Sequence, residues 1–76
     1  MPYEQALWLQ IRDDLRRKIK AGIYPPGSKL PSVRLLAEQW DTSHMTIRRA
    51  VDSMIQNDEL IGRVGRGIFV AGKTDA

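Results

Sequence analysis

The 76 residues contain no cysteine and a single histidine, His44. Disulfides and thiolate metal sites are therefore excluded, which fits a reducing cytosol. One histidine leaves neither a multi-histidine metal centre nor a charge-relay constellation to build. The acidic pairs Asp13-Asp14 and Asp58-Glu59 are adjacent, so their side chains diverge and do not flank one substrate. These absences argue against an enzyme, and no cofactor is expected. No apolar run approaches the roughly 18 residues of a membrane span. No signal peptide is visible, because the chain is polar from Glu4 onward. No internal repeat or low-complexity tract occurs. A cytoplasmic chain without a membrane partner is expected.

What is present is one small domain, with a core sufficient for marginal stability. Its net charge of +3 is modest. The distribution of that charge carries more information than the sum. The chain is organised around the stretch from Pro31 to Asp52. Ser32 is a good helix N-cap behind a proline, and Leu36, Ala37 and Trp40 follow at helical spacing. Asp41-Thr42 interrupts, and Asp tolerates the left-handed backbone of a tight turn. Ser43 caps a second helix whose stripe is Ile47, Ala50, Val51, Met54 and Ile55. Two short helices and a turn, over residues 32–56, make a helix-turn-helix.

The polar face of the second helix, residues 43–57, carries His44, Thr46, Arg48 and Arg49. No acid occurs between Asp41 and Asp52, although the first turn of a helix favours one. Thr46 stands where a capping box would place Glu or Gln. Arg34 lies in the first turn of the preceding helix, where the dipole disfavours a cation. Two neutral or cationic helix starts close together suit an anionic partner such as phosphate. Arg48 is the first choice for a guanine contact or a close phosphate, since its planar fork matches both.

Elsewhere, residues 4–21 read as a long helix with Leu7, Trp8, Ile11, Leu15 and Ile19 inward and Gly22 just past its end. Arg16, Arg17, Lys18 and Lys20 cluster near that end, where they serve the helix dipole and solubility. Arg16 is expected on an exposed face, with little bearing on folding. Ile23 to Gly27 is a rigid loop with Tyr24 packing at its base, and residues 28–30 form a very short strand. Asn57 is expected to take the left-handed conformation that ends the second motif helix. Residues 59–64 read as a strand, Gly65-Arg66-Gly67 as a turn and residues 68–70 as the returning strand. The hairpin over residues 59–71 forms a wing. The fold expected is therefore mainly α with a small β-hairpin, a winged helix-turn-helix of three helices plus wing. It occupies 1–76 as a single domain with a core at about 4–71.

The run Pro25-Pro26-Gly27-Ser28-Lys29-Leu30-Pro31-Ser32 resembles the DNA-binding domain of GntR-type transcription regulators. So do Arg34, Leu36-Ala37-Glu38-Gln39, Ser43, Thr46-Ile47-Arg48-Arg49-Ala50, Gly65-Arg66-Gly67 and Phe69-Val70. The resemblance covers nearly all of residues 5–70. It implies sequence-specific binding of double-stranded DNA, usually by a repressor, with a homodimer on a two-fold operator. The recognition helix would enter the major groove and the wing would lie at the minor groove. It carries Arg34 over as a contact, Ser43 and Thr46 as phosphate ligands, Arg49 as a phosphate neighbour, and the Gly65 backbone with Arg66 as the wing contact. His44 stands where the family commonly has arginine, Met45 replaces a commonly polar residue and could touch a thymine methyl, and Val64 stands where a polar wing residue is common. Asp58 stands where the family usually has glycine, and Val33 and Leu35 replace common acids, which suggests an added contact surface or simple variation. A small-molecule effector is expected only with a C-terminal domain beyond residue 76. The competing reading is a winged-helix protein–protein interaction module. It calls for a neutral or acidic recognition face, and Arg48, Arg49 and Arg66 oppose it.

Overall fold

In the computed structural model, which describes residues 6–72, apolar periodicity becomes three helices and a hairpin. The helices are α1 (Leu7–Lys20), α2 (Val33–Trp40) and α3 (His44–Gln56); the strands are β1 (Leu60–Arg63) and β2 (Gly67–Val70). Glu4, expected in the first turn of α1, lies outside the described residues. Ile11 and Leu15 of α1 meet Leu36 and Ala37 of α2 and Ile47, Ala50, Val51 and Met54 of α3 in one core. Leu30, Leu60 and Val70 close it from the loop and the hairpin. Trp8, Ile19, Tyr24 and Trp40 pack at its rim. Val33 and Leu35, read together from the sequence, are separated by the helical turn: Val33 packs on the core and Leu35 is exposed.

Both predicted N-caps are formed. Ser32 Oγ accepts from the Leu35 N–H at 3.1 Å, and Ser43 Oγ accepts from the Thr46 N–H at 3.2 Å. The helix ends share one device. After α1, Gly22 takes φ +83; its N–H donates to Ile19 O at 3.1 Å, and the Ile23 N–H donates to Lys18 O at 2.9 Å. This is the 5→2 and 6→1 pair of a Schellman ending, which satisfies carbonyls that the helix leaves open. Asp41 at φ 53 does the same after α2, with the Thr42 N–H reaching Ala37 O at 3.0 Å. After α3 the left-handed residue is Asp58, at φ 61, whereas Asn57 stays at φ −93. The expectation for Asn57 is thus corrected by one position. Asn57 is the cap itself, and the sharp reversal falls on the residue after it, where Asp58 spends local strain to send Glu59 toward the sheet.

The hairpin is antiparallel, pairing Leu60 with Val70 and Arg63 with Gly67. Its turn closes through the Arg66 N–H on Arg63 O at 2.9 Å, with Gly65 at φ +77 in the third position. A positive φ there is the demand that glycine meets. The strand is shorter than residues 59–64 at its start because the Glu59 N–H is engaged by Met54 O at 2.8 Å in the helix ending. The short strand at residues 28–30 is reduced to one bridge, Lys29 to Phe69. Two hydrogen bonds make the bridge, Leu30 N–H to Ile68 O and Val70 N–H to Ser28 O, both 2.8 Å.

Arg16 is not the free cation the sequence suggested. Its Nε and Nη2 donate to the two Glu59 carboxylate oxygens at 2.7 and 2.6 Å, joining α1 to the base of the wing. That hydrogen bonding raises the Arg16 pKa, with burial acting the other way. A forked, charge-assisted pair between elements 43 residues apart constrains geometry in a way a lone surface cation does not. Both groups keep partial solvent access, so screening limits the gain. Arg16→Ala is expected to cost about 1 kcal/mol and lower the unfolding midpoint by about 4–8 °C. In a double-mutant cycle with Glu59→Ala, fully additive losses would show that the pair contributes nothing of its own.

Candidate nucleic-acid interface

The expected site residues occupy three connected parts of one surface. The first is the notch between α2 and the start of α3, lined by Arg34, Glu38, Asp41, Thr42, Ser43 and His44. Short capped helices separated by the three residues Asp41, Thr42 and Ser43 bring these side chains together. Arg34 Nε lies 3.8 Å from Glu38 Oε2, a loose contact between exposed groups and a weak restraint. Ser43 Oγ and Thr46 Oγ1 are 3.0 Å apart. One hydroxyl proton lies between them, which leaves the other available to an outside acceptor. The first N–H groups of α3 have no intrahelical partners, and the helix dipole makes this end favourable to an anion.

The second part is the groove between α3 and the wing, lined by Arg48, Asp52, Lys29, Arg63, Val64, Gly65 and Arg66 among others. It brings Arg48 together with Gly65 and Arg66. It also brings in Lys29 and Arg63, which the sequence reading did not single out. The signal for them was latent in the short strand and the hairpin. Once residues 28–30 pair with β2, Lys29 sits beside the wing, and Arg63 ends β1 opposite Gly67. Lys29 lies directly across Gly67, where an added Cβ would come within 2.7 Å of Lys29 Cε.

The third part is the outer flank of α3, where Met45, Arg48, Arg49 and Gln56 meet Trp8. The Arg49 guanidinium lies over the Trp8 ring at 4.9 Å from its centroid, and Arg12 approaches the same ring at 5.8 Å. This places Arg49 on the α1 side of the helix, away from the wing groove. Met45 is 80% exposed at the first turn of α3. Arg48 borders both flanks and forms the ridge between them.

Charge is sorted across the molecule. On α1, Asp14 pairs with Arg17 and Lys18, Asp13 with Arg12, and Glu59 with Arg16. Among the described residues, Lys20, Lys29, Arg48, Arg49, Arg63 and Arg66 make no ion pair, and all but Lys20, at the end of α1, lie along α3 or beside the wing. The described residues contain no group of three or more His, Cys, Asp or Glu placed to hold a metal ion. No helix among them is long and apolar enough to cross a membrane.

Known proteins resemble this chain in sequence and in fold. The profile of the bacterial regulatory proteins, gntR family, matches residues 7–70. The HTH-type transcriptional repressor NagR of Bacillus subtilis is 38% identical over 65 residues, covering 86% of this chain and 27% of NagR. A probable fructoselysine utilization operon transcriptional repressor of Escherichia coli is 33% identical over 66 residues, covering 87% of this chain and 27% of the relative. The chain thus spans about a quarter of the length of the curated relatives it matches. The crystal structure of mutant ORR3 in complex with the NTD of AraR superposes with a TM-score of 0.88 at 28% identity, over 91% of this chain and 99% of that one. That of AraR(DBD) in complex with operator ORR3 gives 0.82 at 30% identity, over 84% and 77%. With three helices, a capped turn and a two-stranded wing in the family's order, and a profile match across nearly the whole described chain, this protein belongs to the gntR family of bacterial regulatory proteins.

Proposed function

We propose that this domain binds double-stranded DNA sequence-specifically as the reading head of a cytoplasmic transcriptional repressor, and that it has no catalytic role. The observation that carries the reading is that, among the described residues, the unpaired cations gather along α3 and beside the wing, whereas every α1 cation except Lys20 is paired. Such a face neutralises phosphate and releases counterions. The operator complexes of AraR support the same use of a closely similar fold.

In this reading α3 lies in the major groove with His44 and Met45 toward base edges and Arg48 on a guanine or a close phosphate. Arg34, Ser43, Thr46 and the open N–H groups of α3 hold phosphate oxygens. Arg49 is held toward the opposite flank by Trp8 and meets the backbone there. Gly65 and Arg66, with Lys29 and Arg63 beside them, follow the minor groove. Two copies occupy the half-sites of a two-fold operator, as symmetric sites require. A small-molecule effector takes part only if a C-terminal domain accompanies these 76 residues.

The test is the salt dependence of binding to mixed-sequence duplex DNA, followed by fluorescence anisotropy. Several neutralised phosphates at roughly −0.9 each give an expected log–log slope of about −3 to −6 per domain. A flat response would remove the nucleic-acid reading.

A further inference from the structure

We infer that Val64, at the tip of the wing, is a specificity-determining residue that disfavours G·C pairs in the minor groove by excluding the guanine 2-amino group. The inference rests on the DNA-binding reading above and adds a chemical rule to it.

Val64 is 103% exposed, the most exposed large apolar side chain among the described residues. Local structure does not ask for it. It occupies the second position of the turn closed by the Arg66 N–H on Arg63 O, a position compatible with most residues. A β-branched side chain packs well on a pleated surface and gains nothing at a bare tip. Gly65 beside it has no side chain, so Val64 stands out alone between two cations, Arg63 and Arg66, that make no ion pair among the described residues. It borders the same groove as Arg48. A duplex seated on Arg48 and held by the wing arginines therefore receives an apolar knob flanked by positive charge.

The chemistry of the minor groove makes that shape selective. A·T pairs present only the adenine N3 and thymine O2 acceptors, whereas G·C adds the guanine N2 amino donor. Arginines favour a narrow groove of strong negative potential, the form that A-tracts take. A valine methyl pressed toward the groove floor offers no acceptor. Over G·C it removes water from the amino group without replacing its hydrogen bond, a penalty absent over A·T.

The experiment uses the 76-residue chain and a duplex selected by it from a randomised pool. The wing-proximal pairs of that duplex are then made A·T, G·C or I·C. Inosine keeps the major-groove face of guanine and lacks only the 2-amino group, so major-groove reading is held constant. The expected result is near-equal binding of the A·T and I·C duplexes, with G·C about five- to tenfold weaker. Val64→Thr keeps the shape and adds a hydroxyl acceptor, and should narrow the I·C to G·C gap to within about twofold. Equal binding of G·C and I·C by the unaltered chain overturns the inference and leaves the DNA reading intact. A gap unchanged in Val64→Thr also overturns it, and assigns the preference to groove shape. Failure to select or bind any duplex removes the DNA reading, and this inference with it.

Discussion

Arg48→Ala should lose about 1–3 kcal/mol of binding to a selected duplex, roughly 5- to 150-fold, with a much smaller loss on a scrambled one. Arg48 is exposed, lies one turn past the Ser43 cap, and makes no ion pair among the described residues. Nothing in the fold has to be repaired when it is removed, so the unfolding midpoint should barely move. Arg48→Lys sharpens the test, because it keeps the charge and loses the fork that grips two acceptors of one base. A base reader should lose most of its discrimination in Arg48→Lys, and a phosphate ligand should not. Arg16 is unsuitable as the charge-only control, since removing it also breaks the Glu59 pair. Lys20, exposed at the end of α1 and outside any ion pair among the described residues, is the appropriate one. Equal losses for Arg48→Ala on selected and scrambled duplexes would shift base reading to His44, Met45 and the wing.

One residue earlier the expected outcome inverts. Ile47 is 0% exposed and lies among core residues of all three helices. Ile47→Ala removes three carbons and leaves a cavity that a small domain cannot fully collapse, at a cost of about 2–4 kcal/mol. For a chain of this length the whole stability is roughly 4–11 kcal/mol. The loss is therefore a large fraction of it, visible in urea as a midpoint shift with little change in slope. Ile47→Val should cost only about 0.5–1.5 kcal/mol. Any DNA affinity lost by Ile47→Ala should return at a temperature low enough to keep the domain folded. A destabilisation below about 1 kcal/mol would mean that α3 is not anchored through this side chain. Adjacent residues on one helix thus separate stability from recognition, because the helical period turns one inward and the other out.

The same period explains what was legible in the sequence. Ser32 and Ser43 announced their helices because an N-cap is a local hydrogen bond three residues long. The apolar stripe of α3 and the left-handed Asp41 were local features too. Periodicity tells which face points inward but not what it meets there. Arg16 and Glu59 are far apart in sequence, and no pattern joined them. The placement of Arg49 over Trp8 needed the packing of α1 on α3. Lys29 was passed over because a single β-bridge leaves almost no alternating signal. The shift from Asn57 to Asp58 reflects a boundary of one residue, the scale at which helix ends are least readable.

The bridge at Lys29 has a consequence for how the wing meets a partner. A two-stranded hairpin alone is marginally stable in water. Here the segment ahead of α2 lends it part of a third strand through the Leu30 and Val70 hydrogen bonds. The wing is thereby coupled to the same backbone that leads into Ser32 and α2, so its tip and the start of α2 keep a common frame. A duplex then meets a surface whose ordering entropy was largely surrendered during folding. Less free energy is withdrawn from the encounter itself, because the wing and the start of α2 are already ordered as one body.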